Sequence, residues 1–236
     1  MNYWESSRSP LYSLLFTAPL FIIYEIGIFL CSKSDLVLMR NGADALMRQI
    51  LENFGIFGLH GIGVVFLIGS IIVLIVQKKY WRSIKIIGDH LLLMMFESLF
   101  WGIDLYYLMA NINLFLMNPN GNAIIQQVTL AIGAGIYEEV CFRVLLFSCL
   151  NKILGFIFQW SLYLKQFTSL LLAAGIFSAF HFIGEYGDYF YFDLFVIRFF
   201  AGIILGLMYL YRGFGVAAWS HSIYDLIILT QTTKNI

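Results

Sequence analysis

Residues 123–150 read AIIQQVTLAIGAGIYEEVCFRVLLFSCL, an apolar stretch long enough to cross a bilayer that carries two glutamates and an arginine. These residues are Glu138, Glu139 and Arg143. An ionisable side chain at mid-bilayer costs about 2.5–3.5 kcal/mol on insertion scales. We therefore interpret the stretch as a transmembrane helix whose buried polar residues serve a function.

The rest of the chain also has the composition of a membrane protein. Of its 236 residues, 61% are hydrophobic and 12% are charged, whereas soluble domains are about 45–50% apolar and about 25% charged. The formal net charge is zero, which gives no indication of a nucleic-acid partner. We predict an all-α, polytopic protein that forms a single transmembrane domain over residues 1–236, with the lipid bilayer around it.

Seven apolar stretches are predicted to form membrane-spanning helices. They cover residues 11–31, 56–76, 86–108, 123–150, 166–183, 194–211 and 214–230. The polar segment 32–55 contains an amphipathic stretch at about 44–53, which we expect to lie along the membrane interface.

The spacing within the first polar string predicts an ion pair. Glu139 and Arg143 are four residues apart, so they share one face of a helix with the acid in the favoured N-terminal position. Glu138 lies about 100° around the helix and is left without this partner. We interpret Glu138 as a candidate general base. The alternative is that the string is an ion-pair network that clamps helices together.

Two further strings place histidines in apolar segments. His181 ends one such segment, and His221 lies four residues before Asp225 in the last one. A carboxylate one turn away accepts a hydrogen bond from one imidazole nitrogen and fixes which tautomer the other presents, so Asp225 is predicted to orient His221. The alternative for His181 is an interhelical hydrogen bond with no catalytic role.

The basic loops create a difficulty for this arrangement. Loops 77–85 and 151–165 carry lysine or arginine, whereas 109–122 and 184–193 carry none, which places the N-terminus and the basic loops in the cytoplasm. The basic residues of 32–55 favour the opposite orientation. Helix starts taken from these loops put Glu138 near mid-bilayer and His181 nearer the other face. The two would meet only if the fifth helix started later than drawn or were tilted.

The three strings together resemble a known signature. Glu138-Glu139-x-x-x-Arg143, Phe177-x-x-x-His181 and His221-x-x-x-Asp225 are similar to the motifs of the CPBP family, the CAAX-protease and bacteriocin-processing intramembrane endopeptidases, also called the Abi family. The resemblance covers about 124–230, the expected catalytic core. It implies about seven to eight helices that enclose a polar cavity, and hydrolysis of a peptide bond within the membrane.

The resemblance also implies roles for the motif residues. Glu138 and His181 would activate the water, Glu139 and Arg143 would support the first motif, and His221 with residue 225 would stabilise the oxyanion. The prenyl-protein branch has asparagine where this chain has Asp225, and an ionised aspartate cannot donate to an oxyanion. Asp225 is therefore either protonated or serves to orient His221.

Metal dependence stays open in the sequence. Glu138, His181 and His221 could form a Zn²⁺ site with an open water position, but the chain has no H-E-x-x-H string. A Glu/His pair that activates water without metal agrees equally well with the residues, and the resemblance favours it slightly.

The expected substrate is a membrane-associated peptide or a lipidated protein, by analogy with the family. The short chain resembles prokaryotic members, which implies a multi-pass protein of a prokaryotic cytoplasmic membrane. Two other functions are considered: a catalytically silent scaffold or bacteriocin-immunity protein, and a transporter or proton relay.

Some polar residues of the spans lie outside the three strings. We expect them to form interhelical pairs or to line the cavity; they are Glu25, Glu97, Asp104 and Arg198. Arg198 could alternatively pair with a substrate carboxylate.

Overall fold

The long apolar stretches form helices, as expected where a lipid environment leaves backbone groups no other partners. A computed structural model describes residues 2–30, 61–78, 85–110, 124–183 and 187–232. The predicted interfacial stretch 44–53 and the basic residues of 32–55 lie outside these ranges.

Eight helices make up the described part of the chain. In order they are α1 (Tyr3–Arg8), α2 (Pro10–Leu30), α3 (Gly61–Gln77), α4 (Gly88–Ala110), α5 (124–158), α6 (Leu162–Phe180), α7 (Phe192–Arg212) and α8 (Phe214–Thr232). All seven predicted apolar helices are present, and α1 is a short addition that the sequence analysis missed. The predicted all-α fold is therefore confirmed.

Five of these helices are long and apolar enough to cross a membrane. They are α2, α4, α5, α6 and α7, while α3 and α8 contain shorter apolar helices of the same character. Large apolar side chains are exposed on their outer surfaces, such as Phe156 at 87% and Ile75 at 65%. A soluble protein would bury such side chains. The chain is accordingly a polytopic helical membrane protein.

Helix α8 lies at the centre of the bundle, between α2, α4, α5 and α7. Glycines allow it to approach its neighbours closely. A Cβ atom on Gly135 of α5 would lie 2.7 Å from the Ala218 carbonyl oxygen, and one on Gly102 of α4 would lie 3.0 Å from that of Ser220. Backbones pack at such distances in membranes because small residues leave room for dispersion contacts. This close packing brings the His221 string of α8 beside the first motif of α5.

Helices α6 and α7 pack in the same way through Gly202 and Gly206. A Cβ atom on Gly202 would lie 3.1 Å from the Ala174 backbone, and Gly206 faces Leu170. The Ser178 hydroxyl donates to the Phe195 carbonyl at 2.6 Å and fixes the other end of the pair. The helix that ends at His181 is therefore held firmly against α7.

The turn between α5 and α6 corrects two of the predictions. Helix α5 continues through Phe158 instead of ending near 150, so most of the predicted 151–165 loop is helix and the connection is 159–161. Gln159 has a left-handed backbone with φ 51°, which ends the helix sharply. Helix α6 starts at Leu162, earlier than the predicted 166, although the catalytic hypothesis required a later start or a tilt.

This hairpin resolves the difficulty over depth. Glu138 and His181 lie about 20 residues before and after the turn, or about 30 Å along each helix at 1.5 Å per residue. Two antiparallel helices of equal length bring their far ends to the same level. The prediction placed the residues apart because it gave α5 too short a C-terminal half.

A polar cluster around Glu97 and Arg212 fixes α1 against the bundle. Arg212 at the end of α7 donates two N–H groups, each at 2.5 Å, to the two Glu97 oxygens of α4. The Tyr3 hydroxyl donates to the same carboxylate at 2.5 Å, and the guanidinium lies 3.8 Å from the Trp4 ring centroid. The expectation of an interhelical pair is confirmed for Glu97.

Candidate active site

The two adjacent glutamates both point into the protein interior. Glu138 is 4% exposed and Glu139 is fully buried. They lie where α5 adopts π-helical hydrogen bonding, over Ala134–Glu138 and Val140–Phe147. A π-helical turn contains more residues than an α-helical turn, so adjacent side chains diverge by less than about 100°. This geometry lets both carboxylates reach the same histidine.

The predicted ion pair of the first motif is present. Arg143 Nε lies 3.2 Å from Glu139 Oε2, and both side chains are almost completely buried. The guanidinium also donates from Nη2 to the Gly202 carbonyl at 3.4 Å and stacks 4.4 Å from the Phe177 ring centroid. Arg143 thus links α5 to α6 and α7 while it neutralises one of the two adjacent acids.

His181 immediately follows α6 and faces Glu138. Its Nδ1 lies 2.8 Å from the Phe177 carbonyl oxygen, an acceptor, so Nδ1 carries the proton. In the neutral ring, Nε2 then presents its lone pair, 3.9 Å from Glu138 Oε2. One water molecule could bridge two groups at this separation, which is the arrangement that the Glu/His hypothesis requires.

His221 of α8 faces both glutamates of the first motif. Its Nδ1 lies 2.8 Å from Glu139 Oε1, within hydrogen-bond distance. Its Nε2 lies 3.8 Å from Glu138 Oε2 and 3.6 Å from Asp225 Oδ2. We predicted that Asp225 orients the His221 ring. This is wrong, because the orienting hydrogen bond is made with Glu139. Asp225 instead lies on the side of the nitrogen that faces Glu138.

Phe177 organises both histidines, a role that the residue-by-residue sequence analysis missed. Its carbonyl accepts from His181, and its ring centroid lies 4.9 Å from the His181 ring and 6.4 Å from the His221 ring. The Arg143 guanidinium covers one face of the same ring. The i, i+4 spacing of Phe177 and His181 was the available signal, because a residue one turn before a helix end offers its carbonyl to that end.

The six predicted site residues are thus brought together at one place. The structure places them in a buried cluster between α5, the end of α6 and α8, and the members are Glu138, Glu139, Arg143, His181, His221 and Asp225. Carboxylates and imidazoles that face one point in a water-poor environment can exchange protons with a bound water.

The arrangement fits a zinc ion less well than it fits a bound water. Both imidazoles have Nδ1 bonded to a carbonyl or carboxylate oxygen, as zinc ligands usually do. The oxygen–nitrogen separations of 3.8 and 3.9 Å exceed the roughly 3.4 Å expected between tetrahedral zinc ligands. Within the described ranges, no three His, Cys, Asp or Glu side chains are arranged to hold a metal ion. Zinc binding by Glu138, His181 and His221 stays a prediction.

Comparison with known proteins gives one match. Residues 120–227 match the Rce1-like family model, whose description is type II CAAX prenyl endopeptidase Rce1-like. No curated protein and no solved structure matches the chain. The matched segment contains α5, α6 and α7, and α8 as far as Ile227. Residues 120–227, which hold all three motifs, are therefore similar to the CAAX-protease family whose signature the sequence resembles.

Proposed function

We propose that this chain is an intramembrane endopeptidase that hydrolyses a peptide bond of a membrane-associated or lipidated peptide. The observation that carries the proposal is the convergence on Glu138. Its Oε2 lies 3.9 Å from His181 Nε2 and 3.8 Å from His221 Nε2. One water at about 2.8 Å from the carboxylate and an imidazole fits between groups so spaced.

In the proposed reaction, the water attacks the scissile carbonyl carbon while Glu138 accepts a proton from it. His181 accepts a hydrogen bond from the same water through Nε2 and fixes its direction of attack. The carbon–nitrogen bond then breaks, and Glu138 returns the proton to the leaving amine. General acid–base catalysis of this kind contributes about 10²–10⁴-fold to a rate.

His221 is proposed to stabilise the oxyanion. A doubly protonated ring would donate one N–H to Glu139 and direct the other from Nε2 toward the reacting carbonyl. Glu138, Glu139 and Asp225 all lie within 3.8 Å of this ring, and nearby carboxylates stabilise a positive charge. Asp225 would act through this charge, so the mechanism does not require the asparagine of the prenyl-protein branch.

The test is hydrolysis of a panel of prenylated, acylated and unmodified membrane peptides by purified protein in detergent. We expect the wild type to cleave at least one peptide and Glu138→Gln to cleave it about 10²–10⁴-fold more slowly. Glu25→Gln, which alters a carboxylate in α2, is the matched control and should retain activity. Cleavage by Glu138→Gln at the wild-type rate would overturn the mechanism.

A chelator arm tests the zinc alternative. Cleavage that persists in 1,10-phenanthroline supports water activation by Glu138 and His181 without metal. Cleavage that is lost in chelator and restored by Zn²⁺ would instead make Glu138, His181 and His221 metal ligands. A wild type that cleaves nothing on a broad panel would favour the catalytically silent scaffold. The proposed location, a prokaryotic cytoplasmic membrane, rests on the family resemblance.

A further inference from the structure

Arg198 is a charged side chain near the site that the mechanism does not use. It lies on α7 and is 13% exposed. Its Nη2 donates to Asp188 Oδ2 at 2.5 Å, and its guanidinium carbon lies 5.2 Å from the Phe182 ring centroid. Its Nη1 is buried, with no hydrogen-bond acceptor in the described part of the chain.

The way Arg198 is held differs from that of Arg212. Arg212 gives two N–H groups to one carboxylate, the fork geometry in which arginine binds most strongly, although its Nη1 also has no acceptor in the described part of the chain. Arg198 contacts its carboxylate through one nitrogen, and the Asp188 side chain is 38% exposed. A buried cation in a membrane protein is costly, and this single contact to a half-exposed side chain compensates it incompletely. The guanidinium retains a donor for a second oxygen atom.

The position of Arg198 relates it to the catalytic histidine. The Asp188 backbone N–H donates to the His181 carbonyl at 2.9 Å, and Phe182 is the next residue after His181. Arg198 therefore lies beside the segment that begins with His181 and Phe182.

We propose that Arg198 binds a carboxylate of the substrate, at a residue close to the scissile bond, in exchange for or together with Asp188. The proposal rests on the peptidase function and specifies its substrate class as peptides with a carboxylate at that place. A C-terminal carboxylate and an acidic side chain share this chemistry. Asp188 holds the guanidinium in position until a substrate carboxylate arrives.

Binding to the inactive Glu138→Gln protein tests this without relying on cleavage. Three dye-labelled, palmitoylated peptides of one sequence are compared by fluorescence anisotropy in detergent: a free acid, a C-terminal amide, and an amide with one glutamate near the C-terminus. We expect the free acid or the glutamate peptide to bind about tenfold more tightly than the plain amide, equivalent to about 1.4 kcal/mol. Whichever is tighter identifies the source of the carboxylate.

Variants then assign the preference to Arg198. Arg198→Gln should bind all three peptides equally, and Arg198→Lys should keep part of the preference. Lys152→Gln removes an exposed cation near the α5–α6 turn and should change nothing. Asp188→Asn removes the internal competitor and should tighten binding of the carboxylate peptide, a gain that misfolding cannot produce.

Equal binding of the three peptides to protein with an intact Arg198 would overturn the inference. A preference that survives Arg198→Gln would also overturn it. Neither result affects the peptidase proposal, which depends on cleavage by the wild type and its loss in Glu138→Gln.

Discussion

Two arginine–glutamate pairs in this protein, a part-buried one at Glu97 and a fully buried one at Glu139, differ in how fully the carboxylate oxygens are used. At Glu97, both carboxylate oxygens receive N–H groups of Arg212 at 2.5 Å, and Tyr3 and Trp101 donate to them as well. At Glu139, one oxygen lies 3.2 Å from Arg143 and the other bonds to His221. The first carboxylate is saturated, whereas the second connects an arginine to a catalytic candidate.

The difference shows how the same two residue types serve different purposes. The Glu97 cluster joins α1, α4 and α7 through direct hydrogen bonds of 2.5 Å. Around Glu138, the separations to both imidazoles are 3.8 and 3.9 Å, longer than hydrogen bonds but suitable for a bridging water. We therefore expect substitutions at Glu97 to affect stability and substitutions at Glu138 to affect catalysis.

Glu138→Gln should give the largest effect in this comparison. We expect kcat to fall by about 10²–10⁴-fold, because the amide cannot accept the water proton. The free energy of unfolding should stay within about 1 kcal/mol of the wild type, since the substitution preserves shape and removes a desolvated charge. Peptide hydrolysis and denaturant unfolding in detergent measure the two quantities. A large loss of stability would identify Glu138 as structural.

Glu97→Ala should have the opposite profile. We expect a loss of about 3 kcal/mol in unfolding free energy, because Arg212, which is 5% exposed, would keep a charge without its carboxylate. The kcat per folded molecule should change little. The double variant Glu97→Ala/Arg212→Ala should lose less than the sum of the single variants. Additive losses would show that the two side chains do not stabilise each other.

Glu139→Gln should be intermediate in both measurements. The amide still accepts one hydrogen bond but cannot neutralise Arg143 while it orients His221. We expect a loss of about 1.5–3 kcal/mol in stability, the range for hydrogen bonds to charged groups, and a reduction of kcat smaller than that of Glu138→Gln. An unchanged kcat would mean that Glu139 holds helices together without orienting His221.

Tyr3→Phe should have the smallest effect, a loss of about 1 kcal/mol in stability with no change in kcat. Burial and the neighbouring Glu97 carboxylate raise the pKa of Tyr3 to about 12, so the hydroxyl remains a donor at neutral pH. Because the folded pKa exceeds the unfolded value of about 10, the stabilisation is complete below about pH 10 and is lost toward pH 12. Unfolding of both proteins at about pH 7 and pH 9 should therefore differ by the same amount.

Much of the fold and of the residue set could be predicted because it depends on local pattern. The apolar stretches are long enough to be recognised as helices from composition, and the Glu139–Arg143 pair follows from the four-residue spacing. Basic residues were a less reliable signal for where a helix ends. Lys152 lies within α5, and long basic side chains near a helix end can reach the interface without ending the helix. The predicted boundary at 150 was wrong for this reason.

Other features depend on distant parts of the chain. The assignment of Asp225 as the partner of His221 was wrong because Glu139, 82 residues away in sequence, is closer than the carboxylate one turn away. The π-helical turns of α5 were not predicted either.

The sequence by itself determined that this is a helical membrane protein with acid–base residues buried in three of its segments. Those conclusions rest on transfer free energies and helix periodicity, which are properties of short segments. The tertiary structure decided which carboxylate orients His221 and how Glu138 comes to face both histidines. It did so because Gly135 lets α5 approach α8 and Gly202 lets α7 approach α6, and no spacing along the chain specifies which atoms then meet.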